Sequence, residues 1–311
     1  MNVVLDDAAL PSTFSSTAPR DKRLRSERLA AQGYVLSSGQ SRLRPHVLRL
    51  LPPATGLALL LLAWSIAATT IAGFPAPLAT WNGAVALFDA ALRRDGTAGP
   101  GIAWQILASL RRLGTGFAVA ALAGIPLGFL AGRLAFVAGI VAPVAGLFKL
   151  VAPLAFLPVS LLVFKAGSPA FVAVIAAGAF WPLMHHTAIG VRRVPQDYMN
   201  VARVLKLSQW KILTRIEAPA ALPHIFVGAR RAVVAAWMVT IAAEMLGGAD
   251  GAGGSPGPGA IPGLGFALRA AWRAGDMTFI LIAIVVTGLL GLIIEQLLVG
   301  AATLFTYADV E

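Results

Sequence analysis

Cysteine is absent from this sequence and charged residues are scarce. The 311 residues include no cysteine, so the chain has no disulfide and no thiolate-ligated metal site. Only 13% of the residues are charged, whereas a soluble domain has about a quarter. Hydrophobic residues reach 58%, and several apolar runs have the roughly 20 residues that a helix needs to cross a hydrocarbon core. The sequence therefore predicts an all-α membrane protein that crosses the bilayer several times.

Acidic residues are the scarcer of the two charge types. The 14 Asp and Glu are outnumbered by 25 Lys and Arg, which gives a net charge of +11. A nucleic-acid partner is not expected, because the cations are not interleaved with aromatic residues and no zinc-ligand spacing accompanies them. They lie in the N-terminal tail and beside the ends of the apolar runs, where Lys and Arg set membrane orientation.

Six apolar runs predict six transmembrane helices. They cover about residues 51–72, 106–131, 136–164, 170–191, 222–246 and 279–301. Residues 1–49 predict a flexible cytoplasmic tail, residues 50–104 the first transmembrane helix with its outer loop, and residues 306–311 a C-terminal tail. The Gly- and Pro-rich residues 247–265 predict a flexible outer loop. They lack the Gly-Lys pair and the preceding strand of a phosphate-binding loop.

The loop between the fourth and fifth runs predicts the orientation. Its cations are Arg192, Arg193, Arg203, Lys206, Lys211 and Arg215, against the single acid Asp197. The opposite loops carry fewer: Arg93, Arg94, Lys165, Arg269 and Arg273. Cytoplasmic loops collect the positive excess, so this loop and both termini are expected in the cytoplasm. Arg111 and Arg112, near the outer end of the second span, are the exception.

The same loop predicts an amphipathic helix. Apolar and small side chains recur at helical spacing, at Val201, Val204, Leu205, Ser208 and Ile212. Pro195 and Pro219 punctuate the segment at its two ends. Such a helix lies on the lipid surface, packs on its own bundle or enters a partner's groove. Side chains suited to specific contacts favour a partner: Asp197, Tyr198, Asn200 and Trp210.

The sequence of this loop also carries a family resemblance. VPQDYMNVARVLKLSQWK, with Asn200, Val201 and Ala202 at a three-residue signature, is followed by Leu222–Pro223 and Gly228 at the exit. This pattern resembles the cytoplasmic loop of ABC-importer permeases. Asn200 stands where that family usually has an acid, and Lys206 where it usually has glycine. At both positions the sequence resembles the branch of the family that moves nitrate, nitrite, cyanate or bicarbonate. The resemblance covers about residues 105–305.

The resemblance implies a type I ABC importer permease fold, with a permease core at 105–305 and a coupling-helix loop at 192–221. It implies a non-catalytic, multi-pass subunit of a bacterial inner membrane, embedded in membrane lipid and without a cofactor of its own. Its partners would be a second copy, two cytoplasmic ATPase subunits that bind the ATP, and a periplasmic solute-binding protein. The residues expected to contact the ATPase are Asp197, Tyr198, Asn200, Val201, Ala202, Arg203, Lys206, Ser208 and Trp210.

Four residues are candidates for the translocation path. Lys149 lies within the third run, where a cation would lower the entry barrier for an inorganic anion; the alternative is a lysine that snorkels to the interface. Glu244, near the outer end of the fifth run, is expected in a gate or dimer seam, or else as a hydrated interfacial acid. Pro158 belongs to the proline-broken third run, which suits a cavity or merely a packing kink. Trp237 is assigned to the path or to packing.

The remaining basic residues give weaker predictions. His185 and His186 are neighbours on a helix and point about 100° apart, so they do not form a facing metal pair, and no metal site is expected. Arg230 and Arg231 are expected to snorkel or to face the ATPase rather than the solute.

Two other functions stay open at this point. One is a permease for sulfonate, taurine or a related organic solute, against which Lys206 argues. The other is an ATP-independent channel or ion-coupled carrier, which should show intramembrane acids or an inverted repeat. Only Glu244 is such an acid, and no repeat is visible.

Overall fold

The computed structural model describes residues 44–89, 91–92, 101–164, 167–247 and 261–305. Within these residues every regular element is a helix. The chain divides into two compact units, residues 1–62 and 63–311. The described part of the first unit belongs to helix α1, Arg44–Thr70. Most of the predicted N-terminal tail and the whole C-terminal tail lie outside the described residues, but α1 begins several residues before the predicted tail ends.

The second unit contains the remaining helices. These are α2 (Pro77–Asp89), α3 (Ile102–Arg133), α4 (Ala135–Phe148), a 3-10 turn (Pro153–Phe156), α5 (Leu157–Phe164), α6 (Ser168–Arg192), α7 (Gln196–Val204), α8 (Gln209–Ile212), a π turn (Leu213–Glu217), α9 (Ala218–Gly247), α10 (Leu264–Ala274) and α11 (Met277–Phe305).

Five helical segments are long and apolar enough to cross a membrane. They are Pro52–Thr70, Ile102–Arg133, Ser168–Arg192, Gln209–Gly247 and Met277–Thr303. A sixth span results if α4 and the helical stretch Pro153–Phe164 count as one. The prediction of an all-α membrane protein is confirmed, and its run boundaries agree with these segments within several residues at most ends.

The third predicted span is broken rather than continuous. Its two halves meet at an angle of 92°. Pro153 has no backbone N–H and disfavours helical geometry in the residue before it. Ala152 accordingly takes an extended conformation, with ψ at 124°. Lys149 caps the C-terminus of α4 and so lies at the break.

Helices α3, α6 and α9 form the core. Small residues on α3 permit close backbone contact with α6, as in other tightly packed membrane helices. A Cβ added to Gly128 would lie 2.6 Å from the carbonyl oxygen of Met184, and one added to Gly124 would lie 3.1 Å from that of Phe180. Large apolar side chains of α6, among them Phe171 and Ile175, fill the space beside this seam without exposed surface.

Two helices occupy segments that were predicted as outer loops. Helix α2 packs on α11, where a Cβ on Gly83 would lie 2.9 Å from Thr278 Cγ2. Helix α10 is amphipathic, and Gly275, whose φ of +71° suits glycine, caps its C-terminus. Of the predicted flexible loop 247–265, residues 248–260 lie outside the described residues. The loop prediction was wrong for Gly247, which ends α9, and for Leu264 and Gly265, which begin α10.

Candidate functional site

The two ends of α3 define two ends of the second unit. Arg133 closes the last turn of α3 beside α8 and the π turn, and this side is called the loop end. Arg112 lies near the other end of α3, and its side is called the Glu244 end. The 21 residue steps from Arg112 to Arg133 correspond to roughly 31 Å of helix, about the thickness of a hydrocarbon core.

A cavity of about 380 Å³ opens between the break after α4 and the facing sides of α6 and α9. Four basic side chains line it: Lys149, His185, His186 and Arg231. The other lining residues are apolar or aromatic, with Phe148 and Trp181 among them, and no Asp or Glu in the described part of the chain lines the cavity. The arrangement is suited to a small anion, since the charges inside it are of one sign.

Arg231 and its neighbour Arg230 have different surroundings. Arg230 donates from Nε and approaches with Nη2 the same oxygen, Oε1 of Glu295, at 2.7 and 2.6 Å. Arg231 Nη1 instead lies 3.1 Å from Nε2 of His186. Arginine has only donors, so Nε2 of His186 accepts this hydrogen bond. The sequence predicts snorkelling or ATPase contact for both arginines. Their surroundings differ because neighbours on a helix point about 100° apart.

An aromatic stack forms one wall of the cavity. Phe148 stacks on Phe156 and on Trp181, with ring centroids 5.9 and 5.6 Å apart. Phe148 and Trp181 also line a second, almost wholly apolar cavity of about 340 Å³ between α3 and α6. The stack is therefore a shared wall between a basic and an apolar cavity.

Glu244 lies in a polar cluster with no exposed surface. Arg112 Nη1 donates to its Oε1 at 2.7 Å, and Ser109 Oγ donates to its Oε2 at 2.8 Å. The backbone N–H of Gly265 donates to the same Oε2 at 3.0 Å. Arg112 also reaches the carbonyl oxygen of Ile261 at 3.2 Å. The cluster ties α3, α9 and the start of α10 together, and a hydrated interfacial acid does not fit a carboxylate buried so completely.

Glycine is required around this carboxylate. A Cβ on Gly263 would lie 2.2 Å from Glu244 Oε1, and one on Gly265 would lie 2.4 Å from the carbonyl oxygen of Ile241. The chain after the undescribed segment can approach Glu244 because both positions lack a side chain. Arg112, the exception in the loop-charge count, is explained by its pairing with Glu244.

The predicted single amphipathic helix of the loop is two short helices. Leu207 N–H donates to Ala202 O and Lys206 N–H to Arg203 O, the hydrogen bonds of a Schellman C-cap. Lys206 takes the left-handed conformation at φ +48°. Ser208 then caps α8, its Oγ accepting from the N–H of Lys211. The prediction of one helix was wrong, because this cap ends α7 after Val204.

Most of the predicted ATPase-contact residues are exposed. The fractional exposure is 59% for Tyr198 and 71% for Trp210. Asp197, Asn200, Val201, Arg203, Lys206 and Ser208 are exposed as well. Ala202 has no exposed surface, so its side chain faces the protein and not the solvent.

Contacts join the loop to α3 and α6. Arg133 hydrogen bonds to Gln209 Oε1 and lies 3.7 Å from Glu217 Oε1. Arg192 Nη2 donates to Ala131 O at 2.9 Å. The loop is therefore bonded to the end of α3, and the end of α3 is bonded to the end of α6.

Three of the four predicted path residues lie outside the basic cavity: Glu244 in its own cluster, Trp237 and Pro158. Trp237 is 5% exposed, and its indole N–H donates to Thr287 O at 3.1 Å, which joins α9 to α11. Pro158 is exposed on α5 and does not line the cavity with Lys149. His185, His186 and Arg231 were missed as partners of Lys149. The signal in the sequence that could have pointed to these three residues was the presence of charged or polar side chains inside apolar runs.

Comparison with known proteins identifies the family. The sequence matches the binding-protein-dependent transport system inner membrane components over residues 124–301. The nitrate import permease protein NrtB of Leptolyngbya laminosa is 38% identical over 68% of this chain and 71% of that protein. The bicarbonate transport system permease protein CmpB of Synechococcus elongatus is 34% identical over 83% of this chain and 90% of that protein.

The fold is similar to that of a solved transporter. An inward-facing structure of the MetNI methionine ABC transporter has a chain that matches with a TM-score of 0.53 at 16% identity, covering 65% of this chain and 94% of that one. The predicted permease fold is thereby confirmed, as is the resemblance to the nitrate and bicarbonate branch.

The chain belongs to the family of binding-protein-dependent transport system inner membrane components. It is a multi-pass inner-membrane protein and the non-catalytic permease subunit of an ABC importer. Membership implies ATPase and substrate-binding partners.

Proposed function

We propose that this permease carries nitrate or a related small inorganic anion into the cell. The basic cavity with Lys149 is the observation that carries the substrate class. A fixed cation in a wet cavity lowers the free-energy barrier for an entering anion. The names of the relatives, a nitrate import permease and a bicarbonate transport permease, support the same class.

The loop end faces the cytoplasm in this proposal, and so do both termini. The cations of residues 192–216 support this orientation. The buried pairing of Arg112 with Glu244 supports it as well, since a paired arginine inside the bundle does not count as a loop charge.

The exposed side chains of α7 and α8 are proposed to dock on an ATPase subunit. The apolar and aromatic members are Tyr198, Val201, Val204, Leu205 and Trp210, and the polar ones are Asp197, Asn200, Arg203, Lys206 and Ser208. An apolar centre with a polar rim is the usual composition of a protein interface. Because the chain supplies one such loop, two copies would match a pair of ATPase subunits.

The coupling follows from how the loop is attached. When ATP closes the ATPase pair, the loop is displaced. Arg133, bonded to Gln209, passes that displacement to α3, and Arg192, bonded to Ala131, links the ends of α3 and α6. The glycine seam between these helices moves as a rigid unit because its backbones are in contact. The broken third span does not share that seam, so the cavity between it and α6 changes shape. Glu244 holds the opposite end closed, and a binding protein delivers the anion there.

The substrate class is tested by uptake in cells. Labelled nitrate at low concentration would be supplied to cells with and without this gene, with cyanate, bicarbonate and taurine run in parallel. We expect uptake of one of the inorganic anions to be lost. Loss of taurine uptake alone would contradict the anion proposal while leaving the permease assignment intact.

A further inference from the structure

The guanidinium of Arg231 lines the basic cavity without a carboxylate partner among the described residues. Its neighbour Arg230 forms an ion pair with Glu295, so only one of the two adjacent arginines has a carboxylate partner among the described residues. The Arg231 side chain is exposed where it borders the cavity, and a cation on a cavity wall attracts an anion. The geometry of the cavity therefore provides a place for an anion that is not part of the protein.

The position of Arg231 is fixed by helix packing. A Cβ on Gly228 of α9 would lie 2.7 Å from the Cβ of His186 and 3.3 Å from Pro182 O, so α6 and α9 touch at this level. The contact brings His186 Nε2 to 3.1 Å from Arg231 Nη1. One N–H of the guanidinium is thus used in orientation, and the others remain for a ligand. Arginine's planar fork suits the adjacent oxygens of a planar oxyanion.

The other basic groups come from different elements. His185 reaches the cavity from α6, and Lys149 from the break that Pro153 produces after α4. The cavity volume of about 380 Å³ lies at the small end of the roughly 300–1,000 Å³ of small-molecule sites. Basic side chains from three elements therefore border one small space, which is the arrangement expected of an anion-binding site.

We propose that this cavity is an anion-binding site of the permease itself, in which Arg231, oriented by His186, holds a small inorganic oxyanion and Lys149 and His185 complete the basic lining. The inference rests on the proposed function for the kind of ligand. It adds that the anion is recognised inside the membrane and not only by the external binding protein.

Trp181 provides a probe within the same cavity. The fluorescence of Trp181 is obtained as the difference between the full-length permease in nanodiscs and its Trp181→Phe variant. Two quenchers are compared at constant ionic strength: iodide, which is an anion, and acrylamide, which is neutral. We expect iodide to quench Trp181 at least about threefold more strongly, relative to acrylamide, than it quenches the other tryptophans. Nitrate should compete with iodide.

Arg231→Gln should remove this preference, and Lys149→Gln should reduce it, each measured with and without Trp181. Arg193→Gln is the matched control, because Arg193 lies 3.3 Å from His224 Nε2 in a similar Arg–His pair that does not line the cavity. Arg231→Lys should retain part of the preference. If Arg231→Gln does not fold, as judged by gel filtration, Lys149→Gln decides the question.

The outcomes separate this inference from the proposed function. Equal access of iodide and acrylamide to Trp181, unchanged in the Arg231→Gln or Lys149→Gln variant, overturns the site even if nitrate uptake is normal. A selective effect of iodide that depends on Arg231 supports the site even if cells lacking the gene take up nitrate normally, in which case the substrate proposal fails instead.

Discussion

Arg112 Nη1 lies 2.7 Å from Glu244 Oε1, although 132 residues separate the two in the sequence. Both side chains are almost completely removed from solvent. The pair joins α3 to α9 at the end of the bundle opposite the loop, and its other hydrogen bonds hold the start of α10. A buried pair of this kind is a point of rigidity, because loss of either partner leaves an uncompensated charge.

Glu244→Gln should destabilise the protein strongly. Breaking a buried ion pair costs about 3–5 kcal/mol, and thermal unfolding in detergent would measure the loss. Glu295→Gln is the control, since its partner Arg230 is 53% exposed and an exposed pair contributes about 1 kcal/mol or less. Equal destabilisation by the two variants would contradict the role given to the Glu244 cluster.

Gly128→Ala should weaken the contact between α3 and α6. The new Cβ would lie 2.6 Å from a backbone oxygen of α6, so the helices must separate. Gly114 lies on the same helix with nothing within 4 Å of an added Cβ, so Gly114→Ala should be neutral or stabilise by up to about 1 kcal/mol. The comparison is made by thermal unfolding. Similar effects at the two positions would mean that the seam is not tightly packed.

Lys206→Gly should stabilise the loop. A non-glycine residue in the left-handed region costs roughly 1–2 kcal/mol, and Lys206 has φ +48°. Lys206→Val, with a β-branched side chain, should do the opposite. Hydrogen exchange of the α7 and α8 amides reports the local stability. Faster exchange in the glycine variant would contradict the cap described for α7.

Trp210→Ala should weaken attachment of the ATPase subunits without unfolding the permease. Trp210 is 71% exposed at the loop end. Removal of a tryptophan side chain that is buried in a protein interface commonly costs about 2 kcal/mol or more of binding free energy. Trp272→Ala is matched to it, because Trp272 is 62% exposed on α10 at the other end. Copurification with the ATPases is the measurement. Loss of attachment in both variants, or in neither, would refute the docking surface.

The membrane helices could be predicted because each needs a long apolar run, and such runs are visible without any knowledge of tertiary contacts. The break after Lys149 was signalled by Pro153, although its angle was not. Helices α2 and α10 were missed because both are short and lie in segments with turn-forming or charged residues. The left-handed conformation of Lys206 is consistent with the family resemblance, because ABC-importer permeases usually have glycine at this position.

The sites were less predictable than the spans. Lys149, Glu244 and the loop could be selected from the sequence because charges in or beside apolar runs are rare. Their partners could not, because Arg112 pairs with Glu244, and Arg231 with His186, across large sequence separations. Which of the two adjacent arginines faces the cavity depends on how α9 is rotated about its own axis. That rotation is set by the packing of α9 against α6 and α11, which the sequence does not show.

ATP-dependent uptake in a reconstituted system is the most direct test of the account. The permease, its ATPase subunits and its binding protein would be placed in proteoliposomes, and labelled nitrate and bicarbonate would be followed with and without ATP. We predict that one of these anions accumulates only when both ATP and the binding protein are present, and that Lys149→Ala lowers the rate. Equilibration of the anion without ATP would contradict the account and favour a channel or carrier.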